Sequence, residues 1–153
     1  MLSKQQEISV TNQQEVVPID PARCREVAEV VLGGESISSY EIGIAFVDNK
    51  AIHELNVRFL GHDYPTDILT FPDTGPRSRP LSGELVISAE YASEEAKERG
   101  HAVADELALY VIHGILHLCG EDDKSEEDSA HMRESERYYL GELGLPDITH
   151  DDD

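Results

Sequence analysis

The stretch Val111–Lys124, VIHGILHLCGEDDK, joins an apolar run to a glycine and then to three acids. Leu107, Leu109, Val111, Ile112, Ile115, Leu116 and Leu118 fill the run, so it reads as a buried helix. His113 and His117 interrupt it four residues apart. On a helix that spacing puts both imidazoles on one face, with Cβ atoms roughly 5–6 Å apart. Gly120 stops the helix as a C′ glycine, and Glu121-Asp122-Asp123 then let the returning chain offer a carboxylate to the same point. Two neutral imidazoles and one oxygen, with a fourth position open, make the donor set of a catalytic zinc site rather than a closed structural one. Histidine on an apolar helix face is otherwise a hydrogen-bonded core residue, and the glycine stop followed by acids weighs against that here. A metalloprotease would carry glutamate beside the first histidine as its general base; this chain has Gly114 there.

Upstream of that helix the chain alternates between strand and helix patterns. Residues 7–17 alternate weakly and read as an interrupted edge strand. Asp20-Pro21 opens a helix with Cys24, Val27, Ala28, Val31 and Leu32 inward and Gly33-Gly34 at its end. Tyr40–Val47 is nearly continuous apolar, as a central strand is. Asp48 caps a helix over 49–60 whose stripe is Ile52, Leu55 and Phe59, with Asn56 beside it and Val57 facing away. A short strand over 67–71 follows, with Thr66 and Asp67 at its entrance bonding local backbone or positioning a substrate. Residues 72–82, with three prolines and two arginines, read as a mobile loop. A strand over 83–88, a helix capped by Ser88 and stopped by Gly100, and the histidine helix over 103–119 come next. Ser125 opens a last helix to about 143, with Met132, Tyr139 and Leu143 inward, and residues 150–153 read as a frayed end. The irregular alternation predicts one α+β domain spanning 1–153, with its core over about 6–147.

Three stretches carry a resemblance. HGILHLCGEDD is similar to the H-G-x-L-H-L-x-G-Y-D-H motif of the YbeY family of metal-dependent endoribonucleases, which act in ribosomal RNA maturation. His53-Glu54-Leu55-Asn56, followed by DYPTDILTFP over 63–72, resembles the family's N-x-x-x-R-x-x-D-x-P-T-D-V-L-S-F-P. GELVIS over 83–88 resembles its G-D-I-V-I-S strand, and all three occur in family order. The resemblance implies a small mixed β-sheet with helices packed on it and a metal site at the end of a buried helix. It also implies cleavage of single-stranded RNA in 16S 3′-end maturation and ribosome quality control, with no DNA substrate. The ligands it implies are His113, His117 and, where the family has a third histidine, Asp123, around one zinc or another divalent ion. Aspartate is shorter and anionic, so the loop must come closer and a bound water is acidified less. Asp122, His131 and His62 are the alternative third ligands. Glu84 and Asp122 are the catalytic carboxylates expected, with Glu121 a further candidate, and Glu121 and Asp122 read equally as a solvated turn. The family's tyrosine falls on Glu121 and its arginine on Leu60; Arg58 is two residues away but about 200° round a helix.

Composition pulls against that reading. With 32 acids against 12 bases the formal charge is −20, whereas a protein gripping phosphates carries a basic patch. Arg77 and Arg79 on the proline-rich loop, with Arg58, are the cations placed to meet RNA. Acids spread along the whole chain suggest a salt-rich cytoplasm in which an acidic surface keeps proteins soluble. The rivals are a metallohydrolase of non-RNA substrates and a ribosome-assembly factor that binds without cutting, its metal structural. Cys24 and Cys119 make no disulfide framework and read as reduced thiols. The polar start and the lack of a run of about 18 apolar residues predict a cytoplasmic protein outside membranes.

Overall fold

The computed structural model describes residues 5–150. Among them the chain runs β1 (Gln6–Asn12), α1 (Pro21–Gly34), β2 (Tyr40–Val47), α2 (Asn49–Leu60), β3 (Ile68–Pro72), β4 (Leu81–Ser88), α3 (Ala89–Arg99), α4 (Val103–Leu118) and α5 (Glu126–Glu142). The strands form one mixed sheet in the order β1-β2-β4-β3. β1 and β4 flank β2 in parallel, and β3 pairs antiparallel with β4. This is the small mixed sheet with packed helices that an α+β chain was expected to build.

Side chains alternate across the sheet, so each strand feeds two layers. Ile42, Ile44, Phe46, Leu81, Leu85 and Ile87 join α1 and α4 in the main core. Val47, Leu69 and Val86 form a smaller cluster with Ile52 of α2 on the opposite face. α4 lies tight on the sheet because two glycines permit it. A Cβ on Gly114 would stand 2.7 Å from Ile68 Cδ1 and 2.8 Å from Leu85 Cδ2, and one on Gly83 would stand 2.8 Å from Leu118 Cδ2.

Five local expectations need correction. β1 stops at Asn12 because the Gln14 carboxamide closes a turn, accepting from Val16 and Val17 N–H at 2.9 Å each. α1 continues through Gly34 and the left-handed turn falls on Ser36 (φ 61°). On α2 the buried positions are Ile52 and Asn56; Phe59 is 57% exposed, its ring edge-on to Phe71 with centroids 5.7 Å apart. The helix's last turn projects past the short edge strand, and Asn56 Nδ2 donates instead to the Tyr64 carbonyl at 2.9 Å. Residues 72–82 form a hairpin: Asp73 and Thr74 N–H both donate to Ser82 O, at 3.0 and 3.2 Å, and β4 begins at Leu81. The expected fraying at the end is also wrong for His150, which is docked on the body; 151–153 lie outside the described residues. Among the described residues no helix is long and apolar enough to cross a membrane.

Candidate metal centre

Because Gly114 faces the sheet, the neighbouring face of α4 turns toward α5. On it Glu106, Tyr110, His113 and His117 recur at i, i+4, i+7 and i+11, a polar stripe on a helix that is otherwise core. The helix ends at Cys119, Gly120 takes φ 101°, and Glu121 N–H bonds back to Leu116 O at 3.0 Å. That reversal carries Asp123 under the histidines. Asp122, exposed, accepts the Asp123 N–H on Oδ1 at 2.7 Å and so sets the loop.

His113 Nε2 and His117 Nε2 stand 3.0 Å apart, and Asp123 Oδ2 lies 3.6 and 3.7 Å from them. A triangle with these sides has its centre about 2.0 Å from every corner, which is the bond length of zinc to nitrogen or oxygen. Glu136 Oε2 sits 2.7 Å from His113 Nδ1. A carboxylate there takes the Nδ1 proton in its hydrogen bond and leaves Nε2 as a bare acceptor toward the shared point. The donor set therefore fits a divalent cation. Among the described residues this is the one group of three side chains so placed.

The local electrostatics split the two rings. Burial pulls His113 down, but the Glu136 hydrogen bond and charge, then Asp67 and Asp123, more than offset it and hold the ring above its ordinary value. Burial and the neighbouring His113 keep His117 below its ordinary value, so it stays neutral, as a ligand must be. Glu121 is not a solvated turn: burial pushes its carboxyl up, Ser135 Oγ donates to it at 3.1 Å, and His131 lies 3.4 Å away.

The remaining candidates fall apart from the cluster. His131 is drawn to Glu121, and His62 stacks on Tyr64 with ring centroids 5.4 Å apart, so neither reaches the ligand point. Glu84 points the wrong way. It alternates with Gly83 and Leu85, which face α4, and lies exposed on the far side of the sheet beside Gly43 and Ser9. Arg58 lies over the Phe59 ring at 5.4 Å. Arg79 Nη1 donates to Pro76 O and Ser78 O at 3.1 and 2.7 Å, so part of its guanidinium braces its own hairpin. Arg77 is exposed at the tip. That hairpin packs on the end of α4, where a Cβ on Gly120 would meet Pro76 Cβ at 3.2 Å.

Beside the ligand point opens a polar cavity of about 220 Å³, walled by Asp67, Tyr110, Arg133, Glu136 and His150 as well as His113 and Asp123. Asp67 bonds locally, accepting from Ile68 N–H at 2.8 Å, while its charge faces His113. Sequence reasoning missed Glu136, Arg133 and His150. The signal for Glu136 was an acid on the inward stripe of α5, four residues past Met132 and three before Tyr139.

Residues 9–144 match the family model described as Endoribonuclease YbeY. The chain is 39% identical over 139 residues to the endoribonuclease YbeY of Carboxydothermus hydrogenoformans, covering 89% of this chain and 96% of that one. It is 43% identical over 118 residues to that of Sulfurovum sp., covering 73% and 78%. The solution structure of TM1509 from Thermotoga maritima superposes with a TM-score of 0.61 at 28% identity, covering 94% of this chain and 97% of that one.

Proposed function

Since the chain belongs to the YbeY endoribonuclease family, we propose that it is a metal-dependent endoribonuclease that cuts single-stranded RNA in 16S 3′-end maturation and ribosome quality control. One observation carries the metal dependence: His113, His117 and Asp123 place three ligand atoms within 4.8 Å of one another. A zinc ion bound there supplies Lewis acidity to a phosphate oxygen and lowers the pKa of water. His113 is kept in the ligand tautomer by Glu136, and His117 is kept neutral by burial. Asp123 halves the positive charge of a divalent ion where a third imidazole would not. Asp122, exposed and adjacent in the chain to Asp123, would accept the proton from the attacking hydroxyl or water, whereas Glu84 lies across the sheet from the ligands. Arg77 and Arg79, on the hairpin that rests on the end of α4, meet the RNA backbone, with Arg58 farther out on α2. Cys24 and Cys119, both free with thiols pushed up to about 12 by burial, suit a reducing cytoplasm.

A second reading draws on the charge of −20 and on Leu60, where the resemblance places an arginine: a ribosome-assembly factor that binds without cutting. Single-stranded and structured ribosomal RNA incubated with wild type and His117→Ala, with zinc supplied and with zinc chelated, separates the two. The nuclease reading expects cuts from zinc-loaded wild type alone. Intact RNA in every arm supports the assembly factor, and cuts that survive both chelation and the substitution discard the metal mechanism. Product ends then tell water from the RNA's own 2′-hydroxyl, since only the latter leaves a 2′,3′-cyclic phosphate.

A further inference from the structure

We propose that the C-terminal tail is part of the metal centre: residues 147–150, acting through Arg133 and Glu136, hold His113 in the pose and tautomer that bind the ion. Glu136 is only 2% exposed, so its carboxylate has to be matched by donors. One oxygen takes His113 Nδ1 at 2.7 Å and the other takes Arg133 Nε at 2.8 Å. Arg133 in turn donates from Nη1 to the His150 carbonyl at 3.2 Å. The His150 ring then turns inward, with Nε2 2.9 Å from Oε2 of Glu106, a carboxylate with no exposure at all. His101 occupies the other oxygen of Glu106. The tail is also pinned three residues earlier, where Arg137 Nε donates to Asp147 Oδ2 at 3.1 Å. Two buried acids, one on α4 and one on α5, thus share a single residue of the tail, and the second of them orients a ligand.

The arrangement makes Glu136, Arg133 and His150 positioning residues rather than catalytic ones. Without the His150 ring the tail loses its anchor on Glu106, and Arg133 loses the carbonyl that fixes its guanidinium. Glu136 then keeps its charge but not its aim. Hydrogen-bond partners of metal ligands change affinity by about 10–100-fold when removed, so the loss falls in a measurable range.

The proposal rests on the reading of His113 as a ligand, and zinc binding without RNA tests the two separately. Zinc affinity of the full chain is measured by chelator competition in wild type, Glu136→Gln, His150→Ala, His150→Gln and the His150→Ala/Glu136→Gln pair. The nitrogen resonances of His113 are recorded without metal, and thermal midpoints with chelator present check the fold. We expect Glu136→Gln and His150→Ala each to weaken zinc by about tenfold or more. His150→Gln, whose amide can still donate to Glu106, recovers most of the loss. The pair is no weaker than Glu136→Gln alone, because both act through one route. In His150→Ala the His113 signal moves from the Nδ1–H form toward a mixture. Zinc affinity in His150→Ala equal to wild type, or losses that multiply in the pair, overturns the role of the tail. A wild type that takes up no zinc overturns the ligand reading beneath it.

Discussion

Gly114 shows how one residue decides what a helix can host. A glutamate at this position would face Leu85 and Ile68 on the sheet, not the ligand point, so the protease arrangement is excluded by packing as well as by motif. Gly114→Ala gains about 1 kcal/mol of helix propensity but overpacks three core methyl contacts, which costs about 1–3 kcal/mol. A net loss is expected, read as a lower urea midpoint; a higher one would mean α4 does not sit this close. Glu106 makes a pH prediction. Burial pushes its carboxyl up, yet the His150, His101 and Tyr110 groups around it pull it net below its ordinary 4.5. A group whose folded pKa is depressed stabilises above its unfolded pKa and loses that contribution as pH falls. Stability below about pH 4.5 therefore declines more steeply in wild type than in Glu106→Gln, measured as urea midpoints from pH 7 to 3; parallel curves would contradict it. His113 and His117 were legible in the sequence because an i,i+4 pair before a helix stop is a local signal, whereas Asp123 was singled out among the acids that follow only by the family resemblance. Glu136 and His150 were not, since they reach the site from 23 and 37 residues away and nothing local distinguishes a buried acid from a solvated one.

At the scale of elements, the sequence read strands and helices well where pattern and caps agreed, and failed where a partner from elsewhere took over. Asp20, Asp48, Ser88 and Ser125 all accept backbone N–H groups at the helix starts expected of them. Gly33-Gly34 was read as a stop, but Gly34 is helical and serves a crossing: a Cβ there would collide with the Tyr139 ring of α5. Tyr139 OH donates to Glu35 at the same junction. The two glycines should therefore respond oppositely. Gly33→Ala meets open space, gains up to about 1 kcal/mol of helix propensity and raises the thermal midpoint, whereas Gly34→Ala loses about 1–3 kcal/mol of stability and lowers it. The reverse order would show that α5 does not cross α1 here. Phe59 was assigned inward from its spacing alone; the sheet ends before the last turn of α2, which no periodicity reveals.

For the whole molecule the formal charge of −20 is the dominant property. Self-repulsion on that scale weakens the compact state and is screened within about 10 Å at 0.1 M salt. Stability and refolding yield should climb from low salt to molar KCl, and a protein indifferent to salt would contradict the proposed salt-rich setting. The α+β class and the buried central strand were readable from alternation, whereas the order β1-β2-β4-β3 is set by long-range pairing. The proposed divalent ion at the end of α4 is tested most directly by zinc titration of stripped, untagged protein. Wild type should bind one equivalent, and His117→Ala and Asp123→Ala should lose it while keeping their fold. Equal uptake by all three proteins would contradict the account.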